Sequence, residues 1–122
     1  MNRWITVLPI AWLVLSGCEP GTRPSGGEPA VSPEVAAKLF ANHCAICHGE
    51  NGDGHGPRRP SLYRKPPDFR DESWRSARTV AQVEEVIRDG VPGSDMPSWK
   101  RLGDPAVAGL AQYVLDLGAG RP

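Results

Sequence analysis

Cys44-Ala45-Ile46-Cys47-His48 is the stretch that decides the fold. The pattern Cys-x-x-Cys-His is the attachment site of a c-type haem. Its two-residue gap lets both thiols reach one edge of a porphyrin from a single helical turn, where they add across the two vinyl groups. The adjacent His can then aim a ring nitrogen at the iron. Two other chemistries share these residue types. His43, Cys44, Cys47 and His48 offer four zinc ligands, but structural zinc draws its ligands from separated pairs that close a loop. A redox-active dithiol would need a strand–helix–strand context, and no convincing strand pair is visible.

The segment before the motif reads as an export signal. Arg3 is followed by an apolar run from Trp4 to Leu15, broken only by Thr6 and Pro9. That run is short for a spanning helix and has the length of a signal-peptide apolar region. It leads into Leu15-Ser16-Gly17-Cys18, which resembles the bacterial lipobox, with Cys18 as the lipidated residue. Residues 1–17 are thus expected to be a lipoprotein signal, and residues 18–31 a Pro/Gly-rich tether from the lipidated Cys. A tether of about 13 residues spans roughly 20 Å as a coil. Cysteine arithmetic agrees: the chain has three Cys, and lipid on Cys18 with haem on Cys44 and Cys47 leaves no loose thiol.

The remaining residues, 32–122, are enough for one domain. Thirteen Pro and fourteen Gly imply long irregular segments. Fourteen basic residues balance fourteen acidic ones, which gives no general case for nucleic acid. Ser32-Pro33 is an N-cap followed by Pro at the first helical position. Val35, Leu39 and Phe40 follow at helical spacing, and this helix should deliver Cys44 to His48. From Gly49 to Arg78 the chain reads as loop. Thr79 to Gln82 fits a capping box, with Val80, Val83, Val86 and Ile87 on one face and a stop at Gly90. Asp104-Pro105 repeats the cap-plus-Pro signature, and the last helix ends at Gly118. The expectation is all-α: three main helices and long loops around one covalently bound haem.

His48 is the expected first axial ligand and Met96 the second. Met1 leaves with the signal, so Met96 is the lone thioether of the mature chain. It sits in Gly93-Ser94-Asp95-Met96-Pro97-Ser98-Trp99, stiffened by Pro97. A soft thioether opposite His favours Fe(II) and raises the potential. His43 and His55 are the competing ligands; both read as solvated side chains. The outer nitrogen of an axial His is usually held by a carbonyl or carboxylate. The Pro57 carbonyl is the first choice for that role and Pro60 the second.

Taken together, the chain resembles a class I monohaem cytochrome c of the bacterial periplasmic kind, over roughly Val35 to Leu117. The resemblance rests on Phe40, on Cys44-x-x-Cys47-His48-Gly49, and on Asn51-Gly52-Asp53-Gly54-x-Gly56-Pro57. It also includes Asp89-Gly90-Val91-Pro92-Gly93-x-Asp95-Met96-Pro97-x-Trp99 and Leu110-x-x-Tyr113-Val114. It implies that the first and last helices cross at Ala36, Phe40 and Tyr113. Ala36 stands where the family often has Gly, a mild departure.

The function expected is membrane-tethered periplasmic electron transfer by one haem c, without substrate chemistry at the iron. Two axial protein ligands leave no open position, so the chain is expected to be a carrier and not itself an enzyme, although it could be the electron-entry subunit of one. A haem-based gas sensor in which Met96 dissociates is the alternative class. Partners would be redox proteins of unknown identity and the membrane through the lipid, and the chain is expected to be a monomer. Seven basic residues between Arg58 and Arg78, opposed there by Asp68, Asp71 and Glu72, read as a solvated loop, a docking patch or cations that offset haem propionates.

Overall fold

The computed structural model describes residues 30–121. The signal segment, Cys18 and most of the tether therefore lie outside the described residues.

The described residues form five helices: α1 (Pro33–His43), α2 (Ala45–His48), α3 (Glu72–Ser76), α4 (Val80–Asp89) and α5 (Asp104–Gly118), with 3₁₀ turns at Arg59–Ser61 and Lys100–Leu102. Among the described residues there is no strand, and no helix is long and apolar enough to cross a membrane. The three long helices are those expected, and the starts of α1 and α4 follow side-chain chemistry, whereas the cap expected at Asp104 does not form. Ser32 Oγ accepts from Val35 N at 3.4 Å at the head of α1. At α4 the capping box is complete: Gln82 N donates to Thr79 Oγ1 at 3.3 Å, and Thr79 N donates to Gln82 Oε1 at 2.9 Å. At α5 the cap is Gly103, and Asp104 makes no capping bond. Its carboxylate instead lies 3.4 Å from Arg88 Nε.

Two features differ from expectation. The first helix does not run unbroken into the haem motif, since Cys44 turns with φ −110° between α1 and α2. Cys44 N still bonds Phe40 O, and His48 N bonds Cys44 O, so the break is a bend with its hydrogen bonds kept. The stretch before Arg78 is not all loop: α3 forms there because Asp71 caps it, its carboxylate accepting from Ser73 N at 2.9 Å.

α1 and α5 cross where Ala36 is fully buried and the Phe40 and Tyr113 rings pack at 5.5 Å and 54°. A small residue at the crossing lets the helix backbones approach. α4 packs on α5 through Val83 and Ile87, and the core gathers Phe40, Phe69, Val107, Leu110, Ala111 and Val114. This three-helix frame leaves an open cleft between the loop after α2 and the loop after α4.

Candidate haem site

The cleft has a volume of about 1130 Å³, at or beyond the upper end of ordinary cofactor pockets. Its floor is apolar: Phe40, Leu62, Phe69, Val83, Leu110 and Val114 line it. Cys44, Cys47 and His48 line the wall contributed by α2, and Met96 lines the wall contributed by the loop after α4. The structure thus brings four sequence-predicted site residues into one cavity.

The Cys–His wall is held by backbone. Gly56 N donates to Cys47 O at 3.2 Å, Arg58 N to Ile46 O at 2.9 Å, and Gly54 N to His48 O at 2.8 Å. Gly56 must be Gly: a Cβ there would lie 2.5 Å from the carbonyl oxygens of both Ala45 and Ile46. His48 stacks on Phe69, centroids 4.9 Å apart and planes 21° apart, and Phe69 packs in turn on Trp74 at 4.9 Å. Arg78 lies over the Trp74 ring, 4.6 Å from its centroid.

The Met96 wall is the loop 90–99, folded back on the end of α4. Val91 N donates to Met96 O at 3.1 Å and Trp99 N to Ile87 O at 3.0 Å. Ser98 Oγ donates to Arg88 O at 2.6 Å, and Met96 N donates to Ser94 Oγ at 3.1 Å. Gly90, at φ +75°, sits where a Cβ would lie 2.7 Å from Met96 O.

Three observations fit a haem in this cleft. Cys44 and Cys47 are both free thiols, so no disulfide competes for them. Burial pushes the Cys44 thiol up to about 12, with Cys47 adding to the shift. His48 Nδ1 is buried with no hydrogen-bond partner, and burial pushes the imidazole down to about 4. The ring is therefore neutral near pH 7, the form that ligates metal. Ile46 and Val86 are large apolar side chains 48% and 45% exposed, and both line the cleft. A flat apolar group seated there would cover them. By contrast, no three His, Cys, Asp or Glu side chains among the described residues converge as a metal site.

Pro57 is not brought to His48. Pro57 and Pro60 are exposed and line no part of the cleft, whereas Pro66 and Pro67 do line it. The Pro66 and Pro67 carbonyl oxygens press on Gly54, 2.7 and 3.0 Å from where its Cβ would be. Phe69, Pro66 and Pro67 were missed in the sequence because their contact with the 44–56 turn is non-local. Phe69 N bonding to Gly52 O at 2.7 Å has no periodic signature.

The other candidates are accounted for. His43 packs on Trp99 at 5.3 Å and is half-buried, not solvated. His55 is exposed; its Nδ1 lies 2.8 Å from Asp53 O, and it is absent from the cleft lining. Several residues of the basic segment, though mostly exposed, are tied up in bonds within the chain. Lys65 Nζ donates to the carbonyls of Arg59 and Leu62 at 2.9 and 2.8 Å. Arg70 pairs with Asp68 at 2.9 Å, and this ion pair, chiefly its hydrogen bond, holds the Asp68 carboxyl down at about 2. Arg75 donates to the carbonyls of Phe69, Arg70 and Gly118. Arg58 and Arg64 remain on the cleft rim, where they could offset anionic groups.

Comparison with known proteins agrees with this geometry. A family model described as "Cytochrome C oxidase, cbb3-type, subunit III" matches residues 32–114. The Cbb3-type cytochrome c oxidase subunit FixP of Azorhizobium caulinodans is 34% identical over 108 residues, covering 88% of this chain and 32% of that protein. Subunit CcoP of Rhodobacter capsulatus is 31% identical over 105 residues, covering 78% of this chain and 33% of that one. The chain therefore spans about a third of the length of these curated relatives. Among solved structures, the KustC0563 c-type cytochrome superposes with a TM-score of 0.58 at 27% identity, covering 67% of this chain and 95% of that one.

Proposed function

The chain belongs to the cytochrome family described as cbb3-type oxidase subunit III, and from that premise we propose that it is a membrane-tethered, single-haem electron carrier with His48 and Met96 as axial ligands. Its fold is that of c-type cytochromes, and electron transfer is the coarse function of the family. The observation that supports the finer reading is that Cys44, Cys47, His48 and Met96, from two separate segments of the chain, all line one largely apolar cleft.

When bound, haem supplies a one-electron Fe(III)/Fe(II) couple. Cys44 and Cys47 would hold it by thioether bonds, and His48 and Met96 would take its two axial positions. Phe69 stacked on the His48 ring limits how that ring can turn. The apolar floor keeps water from the site, which shifts the potential through the local dielectric. The single Cys-x-x-Cys-His in these 122 residues supports one haem. Lipid on Cys18 would keep the carrier on the periplasmic side of a bacterial membrane, within reach of a redox protein partner such as an oxidase.

Acidic organic extraction of the pure protein tests the covalent reading. Haem should stay on the polypeptide at one iron per chain, and a protein with both Cys44→Ala and Cys47→Ala should release it. Free haem extracted from the wild type would overturn the reading. For the anchor, a processed Cys18→Ser protein should move from the membrane to the soluble fraction. Acyl chains contribute roughly 0.8 kcal/mol per buried CH₂, so persistent membrane binding of that variant would exclude lipid as the anchor.

A further inference from the structure

One hydrogen bond among the described residues joins the two walls of the cleft. Tyr63 N donates to Asp95 Oδ2 at 2.6 Å across 32 residues of sequence. Tyr63 belongs to the irregular loop after α2, and Asp95 directly precedes Met96. The other hydrogen bonds of the 90–99 loop run within the loop, to α4 or, from Leu102 N to Trp99 O, to the 3₁₀ turn that follows. The packing of Trp99 on His43 ties the far end of the loop to the Cys-bearing segment, and the Asp95 bond holds the part beside Met96.

We propose that Asp95 is a positioning residue: its carboxylate latches the Met96 loop to the Tyr63 backbone and holds the thioether in its axial place. The inference rests on Met96 being the distal ligand. Several observations give the latch its direction. Lys65 Nζ gathers the Arg59, Pro60 and Leu62 carbonyls, so the loop offering the Tyr63 N–H is itself firm. The Tyr63 side chain is 85% exposed and packs on little, so the backbone N–H is what the residue brings to the contact. A hydrogen bond to a charged acceptor is stronger than a neutral one. Breaking it frees the loop to swing on its attachment to α4, carrying the sulfur away from the iron. Any ligand that binds only the opened form then gains apparent affinity in proportion to the open fraction.

The test uses the oxidised holo-protein and added imidazole, with loss of the weak far-red sulfur–Fe(III) band as the signal. The wild type must first show that band; its absence would end the Met96 reading itself, separately from the latch. Given the band, Asp95→Ala should lower the apparent Kd for imidazole about tenfold, the size expected for one partly exposed charged hydrogen bond. Asp95→Asn keeps an acceptor oxygen without the charge and should fall between the wild type and the Ala variant, about threefold from wild type. Tyr63→Pro removes the donor at a site preceded by Leu62 with φ −77° and ψ 136°, a conformation that tolerates a following Pro. It should match Asp95→Ala, and the two together should open the site no further than either alone. An unchanged imidazole affinity in Asp95→Ala, an Asn variant as open as the Ala variant, or additive effects in the double variant would each overturn the latch.

Discussion

The two walls of the cleft are built from different bonds. The wall carrying Cys44, Cys47 and His48 is backbone against backbone: Gly56 lies on the α2 carbonyls with no room for a methyl group, and Phe69, only 5% exposed, backs His48. The wall carrying Met96 has backbone bonds too, Val91 N to Met96 O and Trp99 N to Ile87 O, but it leans also on the Ser94, Ser98 and Asp95 side chains, which bond to and around the loop. Ser98 and Asp95 are exposed to solvent. Under the proposed ligation, this division would keep the cofactor attached through the firmer wall and put the adjustable bond on the Met96 side.

Damage to the rigid wall should be the more costly. Phe69→Ala removes a buried ring that touches both His48 and Trp74, and should lower the unfolding free energy by about 3–5 kcal/mol. Denaturant unfolding of the holo-protein measures it. A loss under about 1 kcal/mol would mean that Phe69 does not support His48 as described. Gly90→Ala should cost less, about 1–3 kcal/mol, from the left-handed φ and the collision with the Met96 carbonyl. Its signature should differ too: the far-red sulfur–iron band weakens while haem remains attached. An equal loss of attached haem would show that the two walls fail together. The smallest effect is at the surface. Arg78→Ala removes the cation over Trp74 and should lower stability by about 0.5–1 kcal/mol, leaving the band unchanged.

The same contrast explains what could be read from the sequence. α1, α4 and α5 announce themselves through local chemistry: Ser32-Pro33, the Thr79–Gln82 box, and apolar residues at helical spacing. Cys44, Cys47 and His48 fall within five consecutive positions and share one physical purpose. Where structure depends on contacts between distant residues, sequence spacing is a poor guide. Pro57 and Pro60 are the expected holders of His48 because Pro stiffens the loop that offers its carbonyl, yet the chain loops past them and returns Pro66 and Pro67 to the cleft. α3 is five residues long, too short for a periodic pattern, and only its Asp71 cap marks it. The Tyr63–Asp95 bond joins two irregular loops, and a backbone N–H donor carries no residue-type signal. Val86 lies on the predicted apolar face of α4 yet is exposed, because that face continues into the cleft.

The assignment of Met96 to the iron separates a carrier from a sensor, and carbon monoxide exposure of the reduced protein tests it most directly. A carrier with both axial positions filled should leave the reduced spectrum unchanged under carbon monoxide. Met96→Ala should then bind the gas, lose the far-red band when oxidised and shift to a lower potential, with haem still covalently attached. Rapid carbon monoxide binding by the wild-type protein would contradict the account.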